Sequence, residues 1–153
     1  MPTVYLDSTA LIALLYGEKF EPERFEQCRR LRAAIQAGLT DAVVSFYTLP
    51  ELYDYVEQHQ PANEVNAVFR LSLVEVFSLP IIVMPFLDRA DLNQFRQQFK
   101  IADSDDARHV AAALHRKCDA IIAFDYHFTQ VTNVIPAYTP AEFLATLASP
   151  DAR

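Results

Sequence analysis

The sequence predicts a three-layer α/β/α fold built on a parallel sheet of about five strands, and two observations carry that prediction. Short apolar runs recur along the chain at Val4–Leu6, Ala42–Val44, Ile81–Met84, Ala120–Phe124 and Val134–Ile135. Between them lie longer stretches whose apolar residues fall three and four positions apart, the spacing of one helix face. A strand that is apolar at every position has both faces covered, and alternation of such strands with amphipathic helices is how parallel sheets are built. No repeat, low-complexity segment or linker interrupts the pattern, so a single domain over residues 1–153 is expected.

The first strand stops at Asp7, and a helix-like segment follows with Leu11, Ile12 and Leu15. From Glu21 to Ala37 the apolar residues Phe25, Cys28, Leu31 and Ile35 keep helical spacing, and Gly38 suits the C-terminal stop. The second strand ends at Ser45. A helix from about Tyr47 places Leu49, Leu52 and Val56 on one face; Pro50 is tolerated in its first turn, where its missing N–H would have no helical acceptor. Pro61 breaks the chain ahead of a helix striped by Val65, Val68, Phe69, Ser72, Leu73 and Val76, and Pro80 ends it. After the third strand and Pro85, Asp88 and Asp91 mark a helix start whose apolar stripe is Leu92, Phe95 and Phe99. A further helix spans Ser104 to Arg116 with Ala107, Val110, Ala111 and Leu114 inward, its alanines suited to close packing on the sheet. The fourth strand, Ala120–Phe124, ends at Asp125, and Val134 with Ile135 is read as the fifth. Thr139, Pro140 and Glu142 form a capping-box start, with proline at the first helical position, for a last helix through Leu147.

Composition narrows the function classes. The chain is 52% hydrophobic and 22% charged, ordinary for a globular protein. No apolar run reaches the roughly 20 residues of a membrane helix. The N-terminus lacks the basic region, apolar block and cleavage site of a secretory signal, so a cytoplasmic location is expected. Cys28 and Cys118 have no metal-type spacing and read as free thiols. Gly17 and Gly38 are the only glycines, which excludes the glycine-rich loops that cradle nucleotide phosphates. A net charge of −7 argues against unspecific binding of nucleic acid over the whole surface. Arg24, Arg29, Arg30 and Arg32, and again Arg108, Arg116 and Lys117, form local basic stretches that read most simply as solvated helix faces.

The placement of acids is more informative. Asp7 and Asp125 close the first and fourth strands, Glu51 lies early in the helix after the second, and Asp103, Asp105 and Asp106 open the helix before the fourth. In a parallel sheet all strand C-termini share one edge, and a helix leading into a strand begins at that same edge. Asp7, Glu51, Asp106 and Asp125 are therefore expected to form one carboxylate pocket. Carboxylates so close repel one another unless protons or a cation compensate. A hard, oxygen-seeking Mg²⁺ or Mn²⁺ suits them, and the lack of a Cys/His cluster argues against zinc. An all-carboxylate metal site without a nucleotide loop points to phosphodiester hydrolysis.

Structural roles compete for each residue singly. Asp103 or Ser104 reads as a helix N-cap, Asp7 as a cap of the following helix, Glu51 as solvated and Asp125 as a turn residue. Convergence of all four on one edge favours a site. His109 and His127 are assigned turn or surface roles, and Tyr47, Tyr53 and Tyr55 packing roles ahead of base stacking. A phosphoacceptor receiver domain would need paired acids after the first strand and a lysine at the end of a late strand, and neither is present.

YLDSTALIALLYGE, SFYTLPEL, IADSDDARHVAAAL and AIIAFDYHF, in that order, resemble the four motifs of the PIN domain family (PilT N-terminus-like), whose members include ribonuclease toxins of the VapC type. IPAYTPAEFLATL resembles the family's C-terminal tail. The resemblance implies a PIN-like (Rossmann-like) five-stranded parallel sheet and a metal-dependent ribonuclease using Mg²⁺ or Mn²⁺. It implies Asp7, Glu51, Asp106 and Asp125 as metal-site acids, Ser8 as a supporting hydroxyl and Asp103 as an alternative to Asp106. It further implies an RNA substrate, a cognate antitoxin protein and a homodimer. The fourth motif departs from the family at Ala123, where Thr or Ser is usual. That departure carries the alternative reading, a catalytically weak or degenerate PIN module that binds RNA or a protein partner.

Overall fold

The computed structural model describes residues 1–149; the last four residues of the expected domain lie outside the described residues. The strands are β1 (Thr3–Leu6), β2 (Asp41–Ser45), β3 (Ile81–Met84), β4 (Ala120–Ile122) and β5 (Ala137–Tyr138). They form one parallel sheet in the order β3-β2-β1-β4-β5, with β1 at its centre. The helices are α1 (Ser8–Phe20), α2 (Pro22–Gln36), α3 (Thr48–His59), α4 (Val65–Phe77), α5 (Arg89–Arg96), α6 (Ser104–His115) and α7 (Pro140–Ala148).

Successive strand residues point to opposite faces, and β1 shows how this builds two cores. Val4 and Leu6 join residues of α1, α2, α3, α4 and α7 on one side of the sheet. Tyr5 joins α6, Phe99, Phe128 and Val131 on the other, where α5 packs against them. Ala107, Ala111, Ala112 and Ala113 of α6 are all buried, so the alanine-rich sequence does bring that helix close to the sheet.

Local signals set the helix ends. The Asp88 carboxylate accepts the Asp91 amide at 2.8 Å, and Thr139 and Glu142 form the reciprocal capping box of α7. Gly38 ends the α2 region at φ 69°, a backbone conformation that disfavours any residue with a Cβ. Gly17 permits the turn of α1 onto α2, because a Cβ there would stand 3.1 Å from the Phe25 Cβ. Cys28 and Cys118 are free and buried, and burial pushes both thiols up to about 12.

Three expectations are corrected. The fifth strand is Ala137–Tyr138 rather than Val134–Ile135: the amides of Val134 and Ile135 are turned to the Val131 carbonyl, at 2.9 and 3.1 Å, and close a turn. Their apolar character serves core packing, for Ile135 is fully buried without belonging to the sheet. Strand β4 stops at Ile122 instead of Phe124, because its neighbour β1 has ended at Leu6 and the Phe124 amide is taken by the Thr9 hydroxyl at 3.0 Å. Helix α5 ends at Arg96, and Phe99 packs into the second core from the loop beyond. A 3-10 helix, Tyr126–Val131, follows β4 and has no counterpart in the sequence reading.

Candidate metal centre

Leu6 of β1 and Ile122 of β4 are register partners, so the chain leaves both strands side by side on one edge. Asp7 lies immediately beyond Leu6, with its amide donated to the Ile122 carbonyl at 3.0 Å. Its Oδ2 accepts the Thr9 amide at 3.1 Å and the Thr9 hydroxyl at 2.6 Å, which makes it the N-cap of α1 and fixes its carboxylate. Ser8 is buried beside it, but the hydroxyl that meets Asp7 is that of Thr9.

The Asp125 carboxylate accepts the His127 amide at 2.9 Å and caps the 3-10 helix. Asp106 stands in the first turn of α6, whose N-terminus lies at the same edge. Asp103 is the N-cap of that helix: its Oδ1 accepts the amides of Asp105 at 2.7 Å and Asp106 at 3.1 Å. Those two bonds, Asp106 first, hold the exposed Asp103 carboxyl below the usual carboxylate range. This is the capping role; Asp103 belongs to neither of the groups below.

The four acids fall into two groups of close ligand atoms, each with a histidine. Asp7, Glu51 and His109 offer ligand atoms within 4.8 Å of one another, and so do Asp106, Asp125 and His127. In the first group His109 Nε2 lies 2.9 Å from Glu51 Oε2. In the second, His127 Nδ1 lies 3.3 Å from both Asp106 Oδ2 and Asp125 Oδ1.

Electrostatics couple the groups. Burial raises the Asp7 carboxyl above its ordinary range; His109 and the Thr9 bonds pull it back, and Glu51 adds to the rise. Asp106 is lifted to about 6 by burial first and then by the charges of Asp125, Asp103 and Asp7, with the His127 bond opposing. Burial disfavours the charged form of His109, but its bond to Glu51 and the charges of Asp7, Glu51 and Asp106 outweigh this and raise its pKa. Burial is the first cause of both carboxyl rises, and neighbouring carboxylates add to each. The acidic residues of the two groups offer oxygen donors that fit a divalent metal ion.

The surface role assigned to His109 is overturned: its side chain is 1% exposed and lies between Glu51 and the core. The signal was present, because His109 stands three residues after Asp106, on the same helix face. His127 does sit in a turn, yet its ring bridges two acids. The tyrosines pack as expected. Tyr47 meets Phe86 edge-on, Tyr53 meets Phe69, and Tyr55 stacks on Tyr16 and His59. The basic stretches are largely paired on the surface, as in Arg24–Glu21, Arg29–Glu26 and Arg108–Asp105. Among the described residues, no helix is long and apolar enough to cross a membrane.

No curated protein sequence matches the chain. Solved structures match it over most of its length at low identity. FitAcB of Neisseria gonorrhoeae aligns with a TM-score of 0.63 at 19% identity, over 90% of this chain and 98% of that one. VapC20 of Mycobacterium tuberculosis, described as a sarcin–ricin-loop-cleaving toxin, gives 0.62 at 16% identity over 84% and 94%. VapBC2 of Rickettsia felis, solved with a fragment of its promoter DNA, gives 0.61 at 10% identity over 90% and 98%. At such identities the likeness is one of fold. The sequence model of the PIN domain matches residues 3–127, a span that holds all four acids and both histidines, and the chain belongs to the PIN domain family.

Proposed function

We propose that this protein is an endoribonuclease dependent on Mg²⁺ or Mn²⁺, with Asp7, Glu51, Asp106 and Asp125 as its metal-site acids, and that it is the toxin of a toxin–antitoxin pair. The observation that carries the reading is the pair of acid–histidine groups, Asp7–Glu51–His109 and Asp106–Asp125–His127, each with ligand atoms within 4.8 Å of one another. A divalent ion bound there would supply charge to a phosphodiester and lower the pKa of a water. The chain's own part is to hold the acids in fixed directions. Thr9 orients Asp7, the His127 amide orients Asp125, and His109 meets Glu51.

Membership of the PIN family and the fold shared with VapC20, a toxin that cleaves the sarcin–ricin loop, support RNA as the substrate. The VapBC and FitAB complexes among the fold relatives support a cognate antitoxin as partner. A homodimer belongs to the same reading. The test is cleavage of a mixed RNA substrate by purified protein, with Mn²⁺ or Mg²⁺ added and with a chelator. Metal-dependent cutting that Asp7→Asn abolishes is expected; metal-independent cutting, or cutting by the variant at the wild-type rate, sinks the assignment. Ala123 favours a second reading, a degenerate module that binds RNA or a protein without cutting, because its buried methyl offers no hydroxyl two residues before Asp125. Calorimetry separates the two, since the degenerate module should bind no Mn²⁺ at millimolar concentration.

A further inference from the structure

Two of the four edge acids are held from their own neighbourhood, and a third is held by the histidine that follows β4. Asp7 and Asp125 each cap the helix that follows them, and Asp106 is seated in the first turn of α6 against His127. Glu51 is different. It lies in α3 past the capping positions, its side chain is long, and it is about one-third exposed, at 31%. Its partner is His109, and behind His109 runs a chain of hydrogen bonds through the protein interior. His109 Nδ1 lies 2.7 Å from the Tyr5 hydroxyl, which lies 2.5 Å from Ser45 Oγ. Tyr5, Ser45 and His109 are essentially inaccessible to solvent.

The chain Ser45–Tyr5–His109–Glu51 therefore joins β2, β1, α6 and α3, the elements that carry the edge. Its chemistry has a direction. An ionised Glu51 can only accept, so His109 Nε2 must carry the proton that meets it. Tyr5 and Ser45 hydroxyls can donate or accept, and buried polar groups so connected leave the ring no competing orientation. Resting on the metal-site reading above, we propose that His109 is a positioning residue, held by Tyr5 and Ser45, which donates Nε2–H to Glu51 and fixes that carboxylate toward Asp7. It is not itself a metal ligand. Outer-shell bonds of this kind hold site carboxylates and imidazoles in place, and their loss commonly weakens metal binding by about 10- to 100-fold.

The experiment compares Mn²⁺ affinity, read by electron paramagnetic resonance, in the full-length wild type and in Tyr5→Phe, His109→Gln and His109→Leu. Glutamine can place its side-chain N–H near the position of the histidine Nε2–H but is a poor metal ligand. His109→Gln should therefore stay within a few-fold of wild type. His109→Leu should lose about 10- to 100-fold, and Tyr5→Phe, which touches no site acid, about tenfold. Loss in His109→Gln equal to that in His109→Leu would identify His109 as a ligand and overturn the proposal; so would wild-type affinity in Tyr5→Phe. Nitrogen-15 spectra of metal-free protein provide a separate readout, in which a slowly exchanging His109 Nε2–H is expected and should be lost in Tyr5→Phe. A wild type that binds no Mn²⁺ overturns the metal reading, and the Nε2–H signal still decides the positioning claim in that case.

Discussion

The Thr9 hydroxyl donates to Asp7 Oδ2 at 2.6 Å while accepting the Phe124 amide at 3.0 Å, so one side chain ties the end of β1 to the chain leaving β4. Thr9→Val keeps the shape and removes both bonds. It leaves the Phe124 N–H without its acceptor and should cost about 1–3 kcal/mol in urea unfolding. Because Asp7 also loses its orienting donor, Mn²⁺ affinity should fall about tenfold. Thr9→Ser should restore both quantities. Wild-type metal affinity in the valine variant would mean that Asp7 is held by its backbone contacts alone.

Asp7→Asn separates the chemistry of this residue from its capping role. Asparagine caps helices as well as aspartate does and can still accept from Thr9. Metal-dependent cleavage should fall by about 100-fold or more, as expected for loss of a charge used in catalysis. Folding stability without metal should hold or rise. The folded carboxyl is raised by burial, so the folded state retains a proton after the unfolded chain has released one, and that advantage is lost as pH increases. The stability gain of the variant should therefore be larger at pH 8 than at pH 5. A variant that unfolds at neutral pH would show that the carboxylate is structural.

How far the sequence foretold these contacts depends on the range over which each is made. Asp7, Asp88, Asp103 and Thr139 cap their helices through bonds two or three residues away, and such bonds leave a residue-type signature at fixed spacing. The apolar runs reveal the strands because a buried parallel strand excludes polar residues from both faces. Val134 and Ile135 show the limit, since a buried turn and a buried strand demand the same residues. The Glu51–His109 pair spans 58 positions and the Tyr5–His109 pair 104. The spacing of His109 from Asp106 is a local signal, but nothing local marks Glu51 and Tyr5, which arrive from two other elements, as its partners. Taken singly Glu51 reads as a solvated helix residue, because its own neighbours say nothing of the ring packed beside it; its place after the second strand is what marks it as a site acid.

Asp106 should make metal binding depend on pH in a defined window. Its carboxyl sits at about 6 in the folded protein, above its ordinary value. Between the unfolded value of roughly 4 and that point the folded state binds the extra proton, so stability from this group falls as pH rises through the window. Asp106→Asn should therefore stabilise metal-free protein at pH 7.5 by about 1–2 kcal/mol, less than the ~3 kcal/mol of the full shift because the carboxylate keeps a solvent-facing edge. The difference should vanish near pH 4. Mn²⁺ competes with the same proton, so its affinity should decline below pH ~6 in wild type. Urea melts across this range and Mn²⁺ titrations at pH 5 and 7 check both; a variant less stable than wild type at pH 7.5 would contradict the origin assigned to the shift.

Metal should act on the fold as well as on the reaction, because the acids it would neutralise come from β1, α3, α6 and the segment after β4. An ion that binds only the folded protein stabilises it by about 2.7 kcal/mol at a concentration 100 times its Kd. For a domain of this size that is a rise in Tm of about 5–10 °C. Mn²⁺ should produce such a rise in wild type, and a chelator should reverse it. Asp125→Asn, which retains the cap on the His127 amide but removes a charge, should lose most of the rise while melting near the wild-type temperature in chelator. Differential scanning calorimetry at fixed pH 7.5 measures each term. An equal Mn²⁺ shift in wild type and Asp125→Asn would place the ion away from the Asp106–Asp125–His127 group.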